Sequence, residues 1–439
     1  MNILIESATL LDPTSPFYQK KVHLIVRDGL IHSVHEATDS PPEGSFDHTI
    51  VSDNLHVSVG WFDLQAHFGD PGLEHKEDLR SGSQTAAAGG FTEVALLPNT
   101  EPTVQTKNEV RYLRQGGEGP VQLHALAAVT RHTEGTELTE MIDLHEAGAV
   151  AFTDGTRSLT HSQVLLKALQ YVQKFDGLLI NRAEETSLTD YGTMHEGVVS
   201  TRLGMKGMPV LAETIALERD LRLLEYAREF AYAHPPRLHV SNVSSAAAVA
   251  IIRDAKARGL NVSCDVAAHQ LVFDDTQLTT FDTNYKVNPP LRSLDDQRAL
   301  RQGLVDGTID AIVSAHQPQD EENKKCEFDL AAFGILGLPA VLPTLSRLMD
   351  DGMELPLLVE KLTTQPRRLL KQTIPEIKKG VPANLTVFDP KATWDWNAKN
   401  HFSKSFNHPW YGQELTGRVL GTFHRHEHYL AESIQSVGT

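Results

Sequence analysis

Cysteine is scarce in this chain: Cys264 and Cys326 are the two thiols among 439 residues. They cannot form a CxxC pair or a four-cysteine metal site, which excludes disulfide frameworks and cysteine-based metal centres. They read as unpaired structural thiols suited to a reducing cytosol. Basic charge is also short, with 40 Lys and Arg against 57 Asp and Glu, a formal net of −17. Nucleic acid and anionic membranes both require a basic face, so neither is expected as a partner. No uncharged apolar run nears the ~20 residues that cross a bilayer. The opening MNILIESATLLDP carries Glu6 and lacks a basic stretch ahead of an apolar core, which speaks against a secretory signal. A cytoplasmic location is expected. Aromatics are few at 7%, but 40% hydrophobic and 22% charged residues are the ordinary mixture of a globular protein.

What is present is a repeating alternation. From about residue 60 to 340, strand-like runs are followed by helix-like runs. The strand candidates are 57–64, 91–98, 121–129, 149–154, 177–183, 237–243, 260–268 and 309–316. Their β-branched, almost continuously apolar character fits strands buried on both faces of a parallel sheet. Between them, HSQVLLKALQYVQKF places Val164, Leu165, Ala168, Leu169 and Val172 on one helical face. In ETIALERDLRLLEYAREFA, a broader apolar face is expected from Ile215, Leu217, Leu221, Leu224 and Tyr226. Eight β-then-α units predict a TIM (β/α)8 barrel. The ends differ. HLIVRDGLIHSV predicts a hairpin around Asp28-Gly29, and the last segment offers ANLTVFDP and TGRVLGTFHRH with little helical pattern. The expected organisation is a small composite β-sandwich from both termini, 1–56 and 381–439, with the barrel at 57–380 between its halves.

Residues 63–72 read DLQAHFGDPG, which closely resembles the D-x-H-x-H-x-R-x-P-G signature of dihydroorotases in the amidohydrolase superfamily. The resemblance runs through AAAGGFTEVALLPNTEP (86–102), MHEG (194–197), LGMKGMP (203–209), KVNPPLR (286–292), GILGL (334–338) and the closing FDP (388–390). It covers nearly the whole chain and implies the family's TIM barrel with a composite β-sandwich, which the strand pattern indicates separately.

The resemblance also implies a zinc site at the C-terminal ends of the barrel strands, and here the chain departs from the pattern. Gln65 stands where the first zinc-binding His belongs, while His67 matches the second. Asp154 in FTDG keeps the metal-binding Asp. Arg182 replaces a His, Asn242 replaces another, and Ala315 replaces the Asp that binds metal and moves the proton. Gly69 stands in place of the Arg that holds the substrate carboxylate. Of the six vestigial metal positions (Gln65, His67, Asp154, Arg182, Asn242 and Ala315), His67 and Asp154 keep usable donors. A neutral amide is a poor zinc ligand beside imidazole, carboxylate or thiolate, and two donors do not make a zinc site. No metal and no cofactor are therefore expected, with zinc as the alternative, and no catalytic residue is expected. The substrate positions Asn99, Asn288 and His316 remain as possible ligand-binding residues.

His67 is expected to be a hydrogen-bonded histidine in a closed pocket. If strand 5 keeps its register, Arg182 points into the space of the metals and pairs with Asp154 or Glu184, because a buried carboxylate without a counter-charge is costly; the alternative is that it snorkels to solvent. His75, His195 and His269 lie in or near the motifs. His424, His426 and His428 alternate and would share one face of an exposed tail strand. Residues 317–328 read as a solvated charged loop. Three functions follow as expectations. The first is a non-catalytic dihydroorotase-like protein of pyrimidine biosynthesis, a role that in some relatives means structural partnership with aspartate carbamoyltransferase. The second is an active amidohydrolase with a non-standard, metal-poor site. The third is a small-molecule binding module. A homo-oligomer is expected.

Overall fold

Asp28 and Gly29 both adopt left-handed backbone, with φ of 48° and 75°, and make the tight turn expected of them. They join two arms of a sheet built from both ends of the chain. The structure, a computed structural model, describes residues 1–37, 42–231 and 233–434. Its first strands are β1 (Asn2–Leu11), β2 (Lys21–Arg27), β3 (Leu30–Glu36), β4 (His48–Ile50) and β5 (His56–Val59). The barrel strands β6 (Trp61–Ala66), β7 (Phe91–Leu96), β8 (Gln122–Ala127), β9 (Ala151–Phe152) and β10 (Leu179–Arg182) follow. A two-residue pair, β11 (Met194–His195) and β12 (Gly207–Met208), precedes β13 (Leu238–Ser241), β14 (Val262–Ala267) and β15 (Ala311–Val313). The chain closes with β16 (Asn384–Asp395), β17 (Glu414–His424) and β18 (Glu427–Leu430).

The terminal sheet runs in the order β18-β17-β16-β5-β1-β2-β3, with β4 also on β1. N- and C-terminal halves meet where Val57 pairs with Val387, and Ile5, Leu24, Val57, Leu385 and Phe423 fill its core. The second sheet is parallel throughout, in the order β15-β14-β13-β10-β9-β8-β7-β6, and a bridge from Ala66 to His316 brings its ends together. Phe62, Leu64, Ala95, Leu126, Ile180 and Val313 fill the inside. The opposite faces of the strands pack on the surrounding helices, which is why both faces are apolar. Arg367, fully buried, donates to Glu93 on β7 at 2.6 and 3.0 Å, and the opposite carboxylate oxygen lies 2.8 Å from His124 Nε2. Among the described residues no helix is long and apolar enough to cross a membrane.

Several local expectations change. The run 57–64 is two strands: His56–Val59 belongs to the terminal sheet and Trp61–Ala66 opens the barrel. Gly60 makes the break, since a Cβ there would fall 2.1 Å from both Asn384 Oδ1 and Thr92 Oγ1. The apolar face of the helix Val210–Glu229 is also two faces: Leu217, Leu221 and Leu224 are buried, whereas Ile215 and Tyr226 face solvent. The histidines of HRHEH do not share a strand face; β17 ends at His424 and β18 starts at Glu427, with a turn at Arg425-His426. The charged loop contains a short helix, Glu321–Lys324, whose Lys324 is buried. Its ammonium donates to the carbonyls of Thr283 (2.8 Å) and Ala332 (2.9 Å), and burial pushes its pKa down to about 7.

Candidate functional site

The four replaced positions converge. Gln65 at the end of β6, Arg182 at the end of β10, Asn242 after β13 and Ala315 after β15 line one cavity with His269, Asn288 and His316. This is the C-terminal end of the strands, where barrels of this kind carry their sites.

A buried carboxylate not singled out in the sequence organises one side. Asp265 on β14 accepts from Gln65 Nε2 (3.2 Å) and from Asn242 N (2.7 Å), and it lies 2.9 Å from His239 Nε2. Gln65 Nε2 also donates to Asn242 Oδ1 at 3.0 Å, so the two substituted amides bond to each other. His239 is held from behind by Ser263 Oγ at 2.8 Å. The signal for Asp265 was a lone acid in the apolar run LNVSCDVAA; a buried charge demands partners.

On the other side Arg182 pairs with Glu184 at 2.6 Å and does not pair with Asp154. Both side chains are about a tenth exposed, at 10% and 11%, so this is an internal pair rather than a snorkelling arginine. Burial draws the guanidinium below its ordinary value, against the raising effect of Glu184. Glu184 also accepts from Thr189 Oγ1 (2.6 Å) and from Asn288 Nδ2 (3.3 Å). Asp154 turns the other way, taking Val129 N and Thr130 N at 2.9 Å each and the Thr130 hydroxyl. Burial raises its pKa to about 6 even with these donors.

His67 is buried, with Nε2 2.7 Å from the carbonyl of Asn99. Asn99 spends its amide on backbone, donating to Asp154 O (3.0 Å) and accepting from Thr156 N (2.9 Å). It does not line the cavity, whereas Asn288 and His316 do. His316 is enclosed: Leu338 N donates to its Nδ1 at 3.4 Å, and Nε2 stands 3.7 Å from Glu77. Ala315 sits in left-handed backbone at φ 49° and presents a methyl group. Gly69, at φ 72°, leaves no room for a side chain: a Cβ would meet Leu73 O at 2.8 Å. An arginine in its place would strain this loop. His75 is exposed beside Asp320 (3.7 Å), and His195 lies against Arg292 (3.2 Å). His269 is buried, its pKa drawn down to about 4. Cys264 and Cys326 are unpaired.

The arrangement is that of a (β/α)8-barrel amidohydrolase. Its fold matches the L-hydantoinase (dihydropyrimidinase) of Arthrobacter aurescens with a TM-score of 0.80 at 23% identity, over 96% of this chain and 94% of that one. A crystal structure of D-hydantoinase matches at 0.79 and 22%, over 100% of this chain and 97% of that one. A family model described as dihydro-orotase-like matches residues 56–245. The dihydroorotase of Geobacter metallireducens is 39% identical over 96% of this chain and 98% of its own length. That of Chlorobaculum tepidum is 38% identical over 97% and 98%. The chain belongs to the dihydroorotase family of pyrimidine biosynthesis.

These comparisons overturn the expectation that no cofactor belongs here. The relatives are dihydroorotases and hydantoinases, amidohydrolases that are typically zinc-dependent, so zinc is the cofactor this family brings to the barrel mouth. The fit of this chain's own residues to zinc is a separate matter. Among the described residues no three His, Cys, Asp or Glu side chains are gathered as a metal site. His67 and Asp154 are turned onto backbone groups, and Arg182 brings a positive charge to the cavity. The donors in this arrangement do not fit the ion.

Proposed function

We propose that this member of the dihydroorotase family does not hydrolyse dihydroorotate and that it supports the assembly of aspartate carbamoyltransferase in the cytoplasm. The observation that carries the first half is Ala315. The position that the resemblance assigns to the proton-moving carboxylate has a methyl group, and a methyl group cannot take or return a proton. Gly69 removes the cation that would hold the substrate's carboxylate. The cavity itself has ≈ 40 Å³ of free space, room for about three waters at ~10–15 Å³ each. Small-molecule sites are roughly 300–1,000 Å³. Arg182, Gln65 and Asn242 line this cavity, Arg182 paired with Glu184 and Gln65 bonded to Asn242 and Asp265. The second half rests on the resemblance: relatives with degraded sites serve as structural partners, and here a complete barrel persists around altered chemistry.

The test uses the full chain expressed with and without added zinc. Dihydroorotate hydrolysis and carbamoyl aspartate cyclisation are expected at the rate of the buffer. Turnover above that rate in either preparation would overturn the first half. Co-purification with the transcarbamoylase of the same cell is expected, together with loss of transcarbamoylase activity or assembly when this chain is removed. Full transcarbamoylase activity in its absence would overturn the second half.

A further inference from the structure

Every buried or half-buried arginine of this chain has acceptors, with one exception. Arg182, Arg219 and Arg367 pair with carboxylates. Arg237, Arg292 and Arg301 donate to main-chain carbonyls. Arg418 on β17 is half-buried as well, yet its guanidinium has no hydrogen-bond or ion-pair partner among the described residues. A guanidinium carries five N–H donors, and withdrawing them from water without acceptors is costly. Arg418 lines a cavity of ≈ 300 Å³ between the terminal sheet and the helix Leu79–Ala88. That is the size at which small-molecule sites begin, whereas the barrel mouth has ≈ 40 Å³.

The walls of this cavity are aromatic. Trp394 stands near the end of β16, Trp396 just beyond it, Phe402 in the loop that follows and Tyr429 on β18. Both indole N–H groups are already used. Trp394 Nε1 donates to Gly417 O at 2.8 Å, and Trp396 Nε1 donates to His401 Nδ1 at 3.2 Å. His401 in turn gives its Nε2 proton to Ser405 O at 2.8 Å. What the indoles offer a ligand is therefore their faces and edges. The two are 6.4 Å apart, and Phe402 meets Tyr429 edge-on at 5.9 Å. The Tyr429 hydroxyl has no hydrogen bond among the described residues, and burial pushes its pKa up to about 12, so it remains a donor. Glu432, two residues past β18, lines the same cavity from its exposed rim and is also without an ion pair among the described residues. The charges of Arg418 and Glu432 both reach the Tyr429 hydroxyl, yet the two side chains stand further apart than the 4.0 Å of an ion pair.

We infer that this cavity binds a free aromatic α-amino acid, its ring among the four aromatic side chains, its carboxylate on Arg418 and its ammonium on Glu432. Charge complementarity sets the class. An apolar ligand leaves Arg418 unpaired, an anion faces Glu432 and a cation faces Arg418. A zwitterion joins the two, and a carboxylate matches the guanidinium fork with two parallel hydrogen bonds. An aliphatic zwitterion leaves the ring surfaces unfilled, whereas an aromatic one adds offset and edge contacts to its burial. No residue lines both this cavity and the barrel mouth, so the inference does not depend on the chemistry of the mouth.

Calorimetric titration of the full chain with L-phenylalanine is the direct test. One ligand per chain is expected, with a dissociation constant below about 1 mM. Emission excited in the indole band should shift on binding, because Trp394 and Trp396 are two of the four tryptophans and phenylalanine does not absorb there. Removing the ammonium (3-phenylpropionate), the carboxylate (phenethylamine) or the ring (L-alanine) is expected to weaken binding at least tenfold each. Arg418→Gln should weaken L-phenylalanine and 3-phenylpropionate about tenfold and leave phenethylamine unaffected. Glu432→Gln should weaken L-phenylalanine and phenethylamine and leave 3-phenylpropionate unaffected. A variant that merely loosened the fold would weaken all three ligands together, and circular dichroism of each variant checks its folding. Absence of binding at 10 mM L-phenylalanine would overturn the inference. So would L-alanine binding equally well, unchanged indole emission, or variants that do not sort the analogues by charge. Neither transcarbamoylase nor dihydroorotate is present, so failure here is distinct from failure of the proposed function.

Discussion

Replacing Arg182 by Met removes one guanidinium from the barrel mouth while keeping most of the side chain's volume. The partner left behind is Glu184, 2.6 Å away and 11% exposed, so its charge stays in a site nearly closed to water. Removing one member of a buried pair costs about 3–5 kcal/mol, because the other is then desolvated without compensation. Glu184 keeps the Thr189 hydroxyl at 2.6 Å and the Asn288 amide at 3.3 Å, which places the cost at the lower end. The expected loss is therefore about 3 kcal/mol. Glu184→Gln in the same background removes the stranded charge, so the double variant is expected to cost about 1 kcal/mol, well below the sum of the single effects. Unfolding entropy near ~2.1 cal/mol/K per residue over 439 residues makes 1 kcal/mol worth roughly 1 °C. A drop of about 3 °C for Arg182→Met is measurable by calorimetry, and urea titration of all four proteins completes the cycle. A cost under about 1 kcal/mol, or additive single effects, would mean that Arg182 is not the internal counter-charge of this mouth.

Other consequences are open to measurement. Burial pushes Glu93 up, but the His124 hydrogen bond and the Arg367 charge outweigh it and hold the carboxyl at about 2. A folded pKa below the ordinary 4.5 contributes stability above pH 4.5 that is lost as pH falls towards 2. That contribution is about 3 kcal/mol at ~1.4 kcal/mol per unit. Acid titration of unfolding should accordingly fall more steeply for the parent than for Glu93→Gln, and parallel curves would count against the assignment. Ala315→Gly relieves a left-handed alanine and is expected to be neutral or stabilising by up to about 1 kcal/mol, whereas Ala315→Val costs more than about 1 kcal/mol. Equal effects of Gly and Val in chemical denaturation would show that the backbone there is not constrained. Dihydroorotate or carbamoyl aspartate is expected to leave the melting temperature unchanged. A ligand held at 100 times its dissociation constant would instead add about 2.7 kcal/mol, and a shift of that order would reveal a mouth that opens.

Much of this molecule is legible from residue order because the signals are local. The alternation of apolar runs, the Asp28-Gly29 turn and the motif DLQAHFGDPG each lie within about a dozen residues. Helical spacing likewise placed Leu217, Leu221 and Leu224 in one apolar set, and they are indeed buried. The same spacing could not separate them from Ile215 and Tyr226, since nothing local says which arc of a helix has a neighbour. Lys324 is a further case. Its composition is that of a solvated loop, and it is buried because carbonyls of Thr283 and Ala332 come from other parts of the chain to receive it.

The sequence by itself determined the family, the barrel with its composite terminal sheet, and the replacement of donors at positions 65, 182, 242 and 315. These are matters of which residue stands where in a pattern, and pattern survives without coordinates. Only the tertiary structure decided what the replacements do together. Asp265 reaches Gln65 across 200 residues of sequence, and Arg182 chooses Glu184 over Asp154. Closure of the barrel brings those strand ends within hydrogen-bonding distance, and burial there obliges every charge to find its partner.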